Sequence, residues 1–119
     1  MSSPQQPPSQ PSPETVQYAA LAERFWRTYR PSAVAAMAPG DVERFFLSLG
    51  WQIADSVGYL TDSNLAAARK VNERQEQRAR REAMAHARAE EESLRELLYD
   101  VEKEPGTEDR EMPALHPQV

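Results

Sequence analysis

The residues best suited to metal chemistry are Glu82, His86 and Glu90, which follow one another at intervals of four positions. In a helix this spacing places side chains on one face, and two such helices together can supply a carboxylate–histidine metal site. The alternative is that His86 is a polar residue between alanines, and we expect this alternative, with no metal and no cofactor bound. Because the chain has no cysteine, no glycine-rich phosphate loop and no recognisable serine–histidine pair, we expect no enzymatic activity.

A second set of chemistry-bearing residues is basic. On a helical wheel five of these side chains fall within a quarter of a turn and form a candidate binding stripe, called here the basic stripe: Lys70, Arg74, Arg78, Arg81 and Arg88. Positive charge at this spacing suits the phosphates of a nucleic acid or an acidic protein surface. The alternative is a solvated helix face, because interleaved glutamates weaken the potential.

Charge is unevenly distributed along the 119 residues, whose net charge is −5. Residues 1–68 carry −2, residues 69–88 carry +4 and residues 89–119 carry −7. A basic block followed by an acidic block favours antiparallel pairing or a charged partner. The chain has no cysteine, no signal-peptide pattern and no apolar run near the about 20 residues that span a bilayer. We therefore expect a cytoplasmic protein without membrane association.

The first half of the chain has the pattern of two amphipathic helices. From Pro13 to Tyr29 apolar residues recur at helical spacing, and Ser12 is placed to cap this helix. A helical turn over 32–37 is followed by a second helix from Asp41 to about Val57, which Gly58 is expected to end. Eight of the nine aromatic residues lie between positions 18 and 59. The sequence therefore predicts an aromatic-rich helical hairpin that contains the core.

The second half of the chain predicts one long charged helix that projects from this core. From Leu65 to Glu104 there is neither proline nor glycine. Near its end lies a candidate helix–helix contact formed by Leu94, Leu97, Leu98 and Val101. The predicted fold class is all-α: an aromatic-rich helical hairpin followed by one long charged helix, with disordered tails. The predicted boundaries are a disordered Pro/Ser/Gln tail over 1–12, a helical core over 13–60, the charged helix over 61–104 and a disordered acidic tail over 105–119.

The segment from residue 53 to residue 65 resembles the helix-turn-helix sequence pattern of bacterial regulators, most closely the second helix-turn-helix unit of AraC-type regulators. The matching residues are Ile53, Ala54, Val57, Gly58, Tyr59 and Leu65. The resemblance covers thirteen residues and departs from the family pattern further along, where Ala67 and Ala68 replace basic and aromatic residues. It implies that Thr61, Ser63 and Asn64 approach DNA bases while Arg69 and Lys70 contact the DNA backbone. The alternative is local, since Gly58 can end one helix and Ser63 can cap the next.

These patterns together predict a non-enzymatic helical interaction protein, an adaptor or oligomerisation protein. Its charged helix would be presented to a protein partner or to another copy of the chain. The alternative is a DNA-binding accessory or regulatory protein, which would use the helix-turn-helix-like segment near residues 53–70 together with the basic stripe.

Overall fold

The computed structural model describes residues 10–67 and 74–114. Lys70 of the basic stripe lies outside these residues, as do residues 1–9 and 115–119 of the predicted tails. The described residues form four α-helices and no strand: α1 (Pro13–Tyr29), α2 (Pro31–Ala35), α3 (Pro39–Ala67) and α4 (Gln75–Leu94), which continues into a π-helical turn (Arg95–Tyr99). The predicted all-α fold class is therefore confirmed. Among these helices none has the length and hydropathy needed to cross a membrane.

The beginning of α1 is as the sequence predicts. The Ser12 Oγ accepts a hydrogen bond from the amide of Thr15 at 3.1 Å, and Pro13 and Glu14 occupy the first turn. Both residues suit that position, because proline lacks the amide hydrogen and a carboxylate is attracted to the positive end of the helix. The face of α1 that packs in the core is formed by Tyr18, Leu21, Ala22, Phe25 and Tyr29.

α3 is longer than the sequence predicts. Gly58 does not end a helix and Ser63 does not cap one, because α3 continues to Ala67. Polar groups that suggested a turn have partners within the bundle instead: the Thr61 hydroxyl donates to the carbonyl of Val57 at 2.6 Å. The segment that resembles a helix-turn-helix is thus one uninterrupted helix. The DNA-contacting roles that the resemblance implies require a turn, and α3 has none at this segment. Residues 68–70 of the resemblance lie outside the described residues.

The predicted charged helix does not project from the core but folds back onto it. Its predicted span of 61–104 is divided between the end of α3, α4 and the π-helical turn. α4 runs antiparallel to α3, since Asn64 Nδ2 donates to the carbonyl of Ala85 at 3.5 Å and the hydroxyls of Ser56 and Ser93 lie 2.8 Å apart. Small side chains on α4, including the buried Ala85 and Ala89, permit this close packing.

The closest approach of α1 to α3 occurs at Gly50, which is buried. A Cβ atom added there would lie 2.5 Å from the carbonyl oxygen of Thr15 and 2.6 Å from the amide nitrogen of Ala19. Both are backbone atoms that cannot rotate away. The two helices can pack at this distance only while position 50 has no side chain.

Replacement of Gly50 by alanine is expected to destabilise the protein by about 2 kcal/mol. Alanine gains up to about 1 kcal/mol of helix propensity, but overpacking costs about 1–3 kcal/mol and here the clash is with backbone. Gly58→Ala in the same helix is the matched control, since its Cβ would meet nothing within 4 Å. It should stabilise the fold by about 0.5–1 kcal/mol. Urea unfolding followed by circular dichroism measures both, and equal effects of the two substitutions would contradict the packing described.

Candidate interaction surface

The described members of the basic stripe are Arg74, Arg78, Arg81 and Arg88, and the structure places them differently. Arg78 and Arg88 are exposed along α4, and Arg74 is exposed at its N-cap. Arg81 is half-buried and donates a hydrogen bond to the carbonyl of Leu65 in α3 at 3.3 Å. One predicted stripe residue therefore helps to hold the α3–α4 hairpin, while the other three are accessible to a partner.

Two exposed residues on α4 extend this surface beyond the predicted stripe. Arg80 is exposed between Arg78 and Arg81, and the Met84 side chain is 68% exposed one turn further along. With Arg88 they form a row at four-residue spacing, which places an apolar side chain between two guanidinium groups. The four-residue spacing of Arg80, Met84 and Arg88 is visible in the sequence, but the helical wheel that defines the basic stripe does not group these three residues together.

The predicted helix–helix contact near the end of α4 lies within the core of the chain itself. Leu94 and Leu98 are buried with the aromatic residues of α1 and α3, and Leu97 and Val101 pack against the same cluster at partial exposure. The rings of Phe25 and Tyr99 lie 5.4 Å apart in this cluster. The leucines are therefore occupied within the chain, and the side of α4 that faces solvent carries charged residues together with Met84.

Residues 100–114, called here the C-terminal strap, pack on the end of the bundle opposite the α3–α4 hairpin. The Glu104 amide donates to the carbonyl of Tyr29 at 2.8 Å, and the Tyr29 hydroxyl donates to the carbonyl of Arg110 at 2.7 Å. Gly106 adopts a φ of 86°, a conformation that suits glycine, and Thr107 behind it is buried. Residues 105–114, which the sequence assigns to the acidic tail, are joined to α1 by hydrogen bonds that involve side chains, such as those from the Thr107 hydroxyl to the carbonyl of Tyr29 at 3.3 Å and from the Arg110 guanidinium to the carbonyl of Thr28 at 2.9 Å.

The Glu104 side chain caps the short helix α2. Its two carboxylate oxygens accept hydrogen bonds from the amides of Ser32 at 3.1 Å and Ala33 at 3.2 Å. Desolvation raises the pKa of this carboxyl, but the hydrogen bonds and the positive charge of Arg30 lower it, and the net shift of the Glu104 pKa is downward. The charged form of the Glu104 carboxyl thus stabilises the contact between the strap and α2.

The tertiary structure separates positive from negative charge along the bundle. Residues 74–88 contain five arginines and two glutamates and form the hairpin end, beyond the start of α1. Residues 89–114 contain ten acidic and three basic residues and extend from the level of Tyr18 in α1 to the other end. The sequence predicted these blocks, but only the antiparallel packing and the strap place them at opposite ends of one compact body.

The structure places Glu82 and His86 in exposed positions and engages Glu90 with α1. Glu90 accepts a hydrogen bond from the Tyr18 hydroxyl at 2.6 Å, which joins α4 to α1. Burial and this hydrogen bond raise the pKa of Tyr18, so that the hydroxyl remains a donor. In the described parts of the chain, no group of three or more metal-ligating side chains is placed to hold an ion.

His86 instead lines a groove of about 350 Å³ at the start of α1, and more of the groove's surface is apolar than polar. The other lining residues are Ser12, Glu14, Tyr18, Ala54, Val57, Gly58, Thr61 and Asp62. Its carboxylates and hydroxyls offer hydrogen-bond acceptors, and its floor is apolar. Sequence reasoning missed this groove, because its residues come from three helices.

No family model, curated protein or solved structure matches this chain.

Glu104→Gln is expected to lower the thermal stability of the protein at neutral pH. A carboxyl whose pKa is lowered by folding stabilises the folded state above its ordinary pKa, and this stabilisation is lost as the pH falls through the lowered value. The difference between wild type and Glu104→Gln should therefore shrink with acidification. Glu111→Gln, which removes a charge from the exposed part of the same strap, is the control. Thermal melts over the acidic range test this, and a difference that persists at the acid end would contradict the capping role.

Proposed function

We propose that this protein is a non-enzymatic helical interaction protein, which binds an acidic protein surface through the exposed arginines of α4. The observation that carries the proposal is the exposure of Arg78, Arg80 and Arg88 on a helix whose leucine, Leu94, is buried in the chain's own core. Exposed arginines on a rigid helix are well suited to recognise carboxylates, because the guanidinium group donates several hydrogen bonds in a fixed geometry.

The contacts made by the groups whose pKa values are shifted favour a structural role for these groups rather than a catalytic one. The Tyr18 hydroxyl links α1 to α4 through Glu90, and the Glu104 carboxylate caps α2. Burial and the negative charge of Glu90 raise the pKa of Tyr99, whose ring packs beside Phe25. Each of these groups stabilises a contact between elements of the bundle, and we propose no reaction for them.

The acidic end of the molecule favours a protein partner over a nucleic acid. Its ten carboxylates among residues 89–114 would repel phosphates that extend beyond the arginine face. Two glutamates also lie within the basic half of α4, at positions 76 and 82. A compact acidic protein surface, by contrast, can meet the arginines without approaching the acidic end.

Binding of fluorescein-labelled poly-L-glutamate, measured by fluorescence anisotropy, tests this proposal. The double substitution Arg78→Gln/Arg88→Gln should weaken binding about fivefold, since two exposed ion pairs contribute about 0.5 kcal/mol each. Arg27→Gln/Arg44→Gln removes the same charge from exposed positions on α1 and α3 and should leave the affinity nearly unchanged. Equal losses in both variants would contradict the assignment of the binding surface.

A duplex DNA titrated under the same conditions provides the comparison with a nucleic-acid partner. The proposal expects poly-L-glutamate to bind more tightly than the duplex. Tighter binding of the duplex, with an affinity that falls steeply with salt, would overturn the proposal and favour the nucleic-acid function that the sequence left as the alternative.

A further inference from the structure

The groove at the start of α1 is formed by three helices. The start of α1 supplies Ser12, Glu14 and Tyr18, α3 supplies residues between positions 54 and 62, and α4 supplies His86. The groove volume of about 350 Å³ lies at the lower end of the range in which proteins bind small molecules. In size the groove therefore suits a small ligand.

The hydroxyl groups of the groove already donate their hydrogens within the protein. The Tyr18 hydroxyl donates to the carboxylate of Glu90 at 2.6 Å, and the Thr61 hydroxyl donates to a carbonyl of its own helix at 2.6 Å. The Ser12 hydroxyl donates to a threonine hydroxyl in the first turn of α1 at 3.0 Å. Because a hydroxyl has a single hydrogen and two lone pairs, these oxygens can offer a ligand only a hydrogen-bond acceptor.

Two carboxylates on the groove are available to a ligand. Glu14 lies in the first turn of α1 and Asp62 lies on α3, and both residues are exposed. Within residues 10–67 and 74–114, neither carboxylate pairs with a basic side chain. Burial, the hydrogen bond to Glu90 and the negative charges of Glu90 and Glu14 all raise the pKa of Tyr18, as expected where the local potential is negative.

The groove thus combines negative charge and hydrogen-bond acceptors with an apolar floor, to which Ala54 and Val57 contribute. An ammonium group is complementary to the polar part, because it is positive and has three donors and no acceptor. An aliphatic chain attached to it can cover the apolar floor, as the stem of a lysine covers apolar surface. A hydrated metal ion would leave this floor uncovered, and an anion would be repelled by both carboxylates.

We propose that this groove binds a small aliphatic amine in its ammonium form. The carboxylates of Glu14 and Asp62 neutralise the charge of the amine, and its aliphatic chain covers Ala54 and Val57. The site uses none of the arginines of α4, so it is independent of the proposed function. Because both carboxylates are exposed, their ion pairs with the ligand are individually weak, and the binding is weak and salt-sensitive.

Titration of diaminobutane into the full chain at constant ionic strength, followed by two-dimensional NMR of the backbone amides, tests the proposal. The expected result is a saturable change at amides that line the groove, including those of Tyr18, Val57 and Thr61. Butanediol has the same aliphatic chain without the positive charges, and it should bind at least about tenfold more weakly, because charge-assisted hydrogen bonds are the stronger ones.

The double substitution Glu14→Gln/Asp62→Asn should weaken diaminobutane binding at least about fivefold, since it removes both negative charges of the groove. The matched control is Glu43→Gln/Glu111→Gln, which removes the same charge from exposed positions outside the groove. The affinity of this control should stay within about twofold of wild type, because salt screens charges that are far from the ligand. Circular dichroism verifies that both variants are folded.

Gly58→Leu tests the groove without a change of charge. A Cβ atom at Gly58 would meet nothing within 4 Å, and Gly58 lines the groove, so a leucine can be accommodated and would occupy space that the ligand needs. It should weaken diaminobutane binding at least about fivefold by steric exclusion. Gly58→Ala leaves most of this space open and should bind nearly as wild type does.

A wild type whose groove amides do not respond to diaminobutane would overturn the proposal. Retained binding in Glu14→Gln/Asp62→Asn or in Gly58→Leu would overturn the groove as the binding site. Equal losses in Glu14→Gln/Asp62→Asn and its matched control would indicate diffuse attraction to an acidic protein and would also overturn the proposal. Binding of magnesium ions at the same amides with equal affinity would overturn the aliphatic amine as the ligand.

Discussion

The close backbone contact between α1 and α3 at Gly50 is the constraint on which the rest of the fold depends. Because the Cα of Ala19 would lie only 2.8 Å from a Cβ at position 50, the two helices approach more closely than side chains normally permit. That approach encloses Phe25, Phe46 and Ile53 with 2% exposure or less. A small chain has little apolar area with which to offset its conformational entropy, so tight packing here has a large effect on stability.

α4 joins this pair of helices by a mixture of apolar burial and specific polar contacts. Ala89 is fully buried, and the hydroxyls of Ser56 and Ser93 pair across the α3–α4 interface. Buried polar groups require partners, so these hydrogen bonds favour one register of α4 over neighbouring ones. The register in turn determines which side of α4 faces solvent, and therefore which charges a partner meets.

The C-terminal strap completes the electrostatic polarity of the molecule. By binding the backbone of Tyr29 and the start of α2, it places acidic residues at the end of the bundle away from the hairpin. The strap thus stabilises this end of the bundle and contributes to the separation of charge along it.

The sequence by itself determined the features that depend on neighbouring residues along the chain. The cap at Ser12, the apolar face of α1, the all-α class and the sign of each charged block all follow from spacing within a few residues. It also predicted the exposure of Arg78 and Arg88, because charged residues of a helix remain hydrated unless they are paired.

Only the tertiary structure decided where the helices end and what they contact. A glycine such as Gly58 destabilises a helix by about 1 kcal/mol relative to alanine, so the sequence predicted that the helix ends there. Burial of the neighbouring Val57 against the core instead keeps α3 helical. Leu94 and Leu98 had the pattern of a contact surface, but no local pattern indicates that they pack against the distant aromatic cluster that buries them. The strap has few apolar residues that could indicate its order in the sequence, and its position depends on hydrogen bonds to the distant helix α1: one between the backbones of Glu104 and Tyr29, and others that involve side chains. Contacts between residues far apart in the chain thus determined the packing, since they form only when the helices have come together.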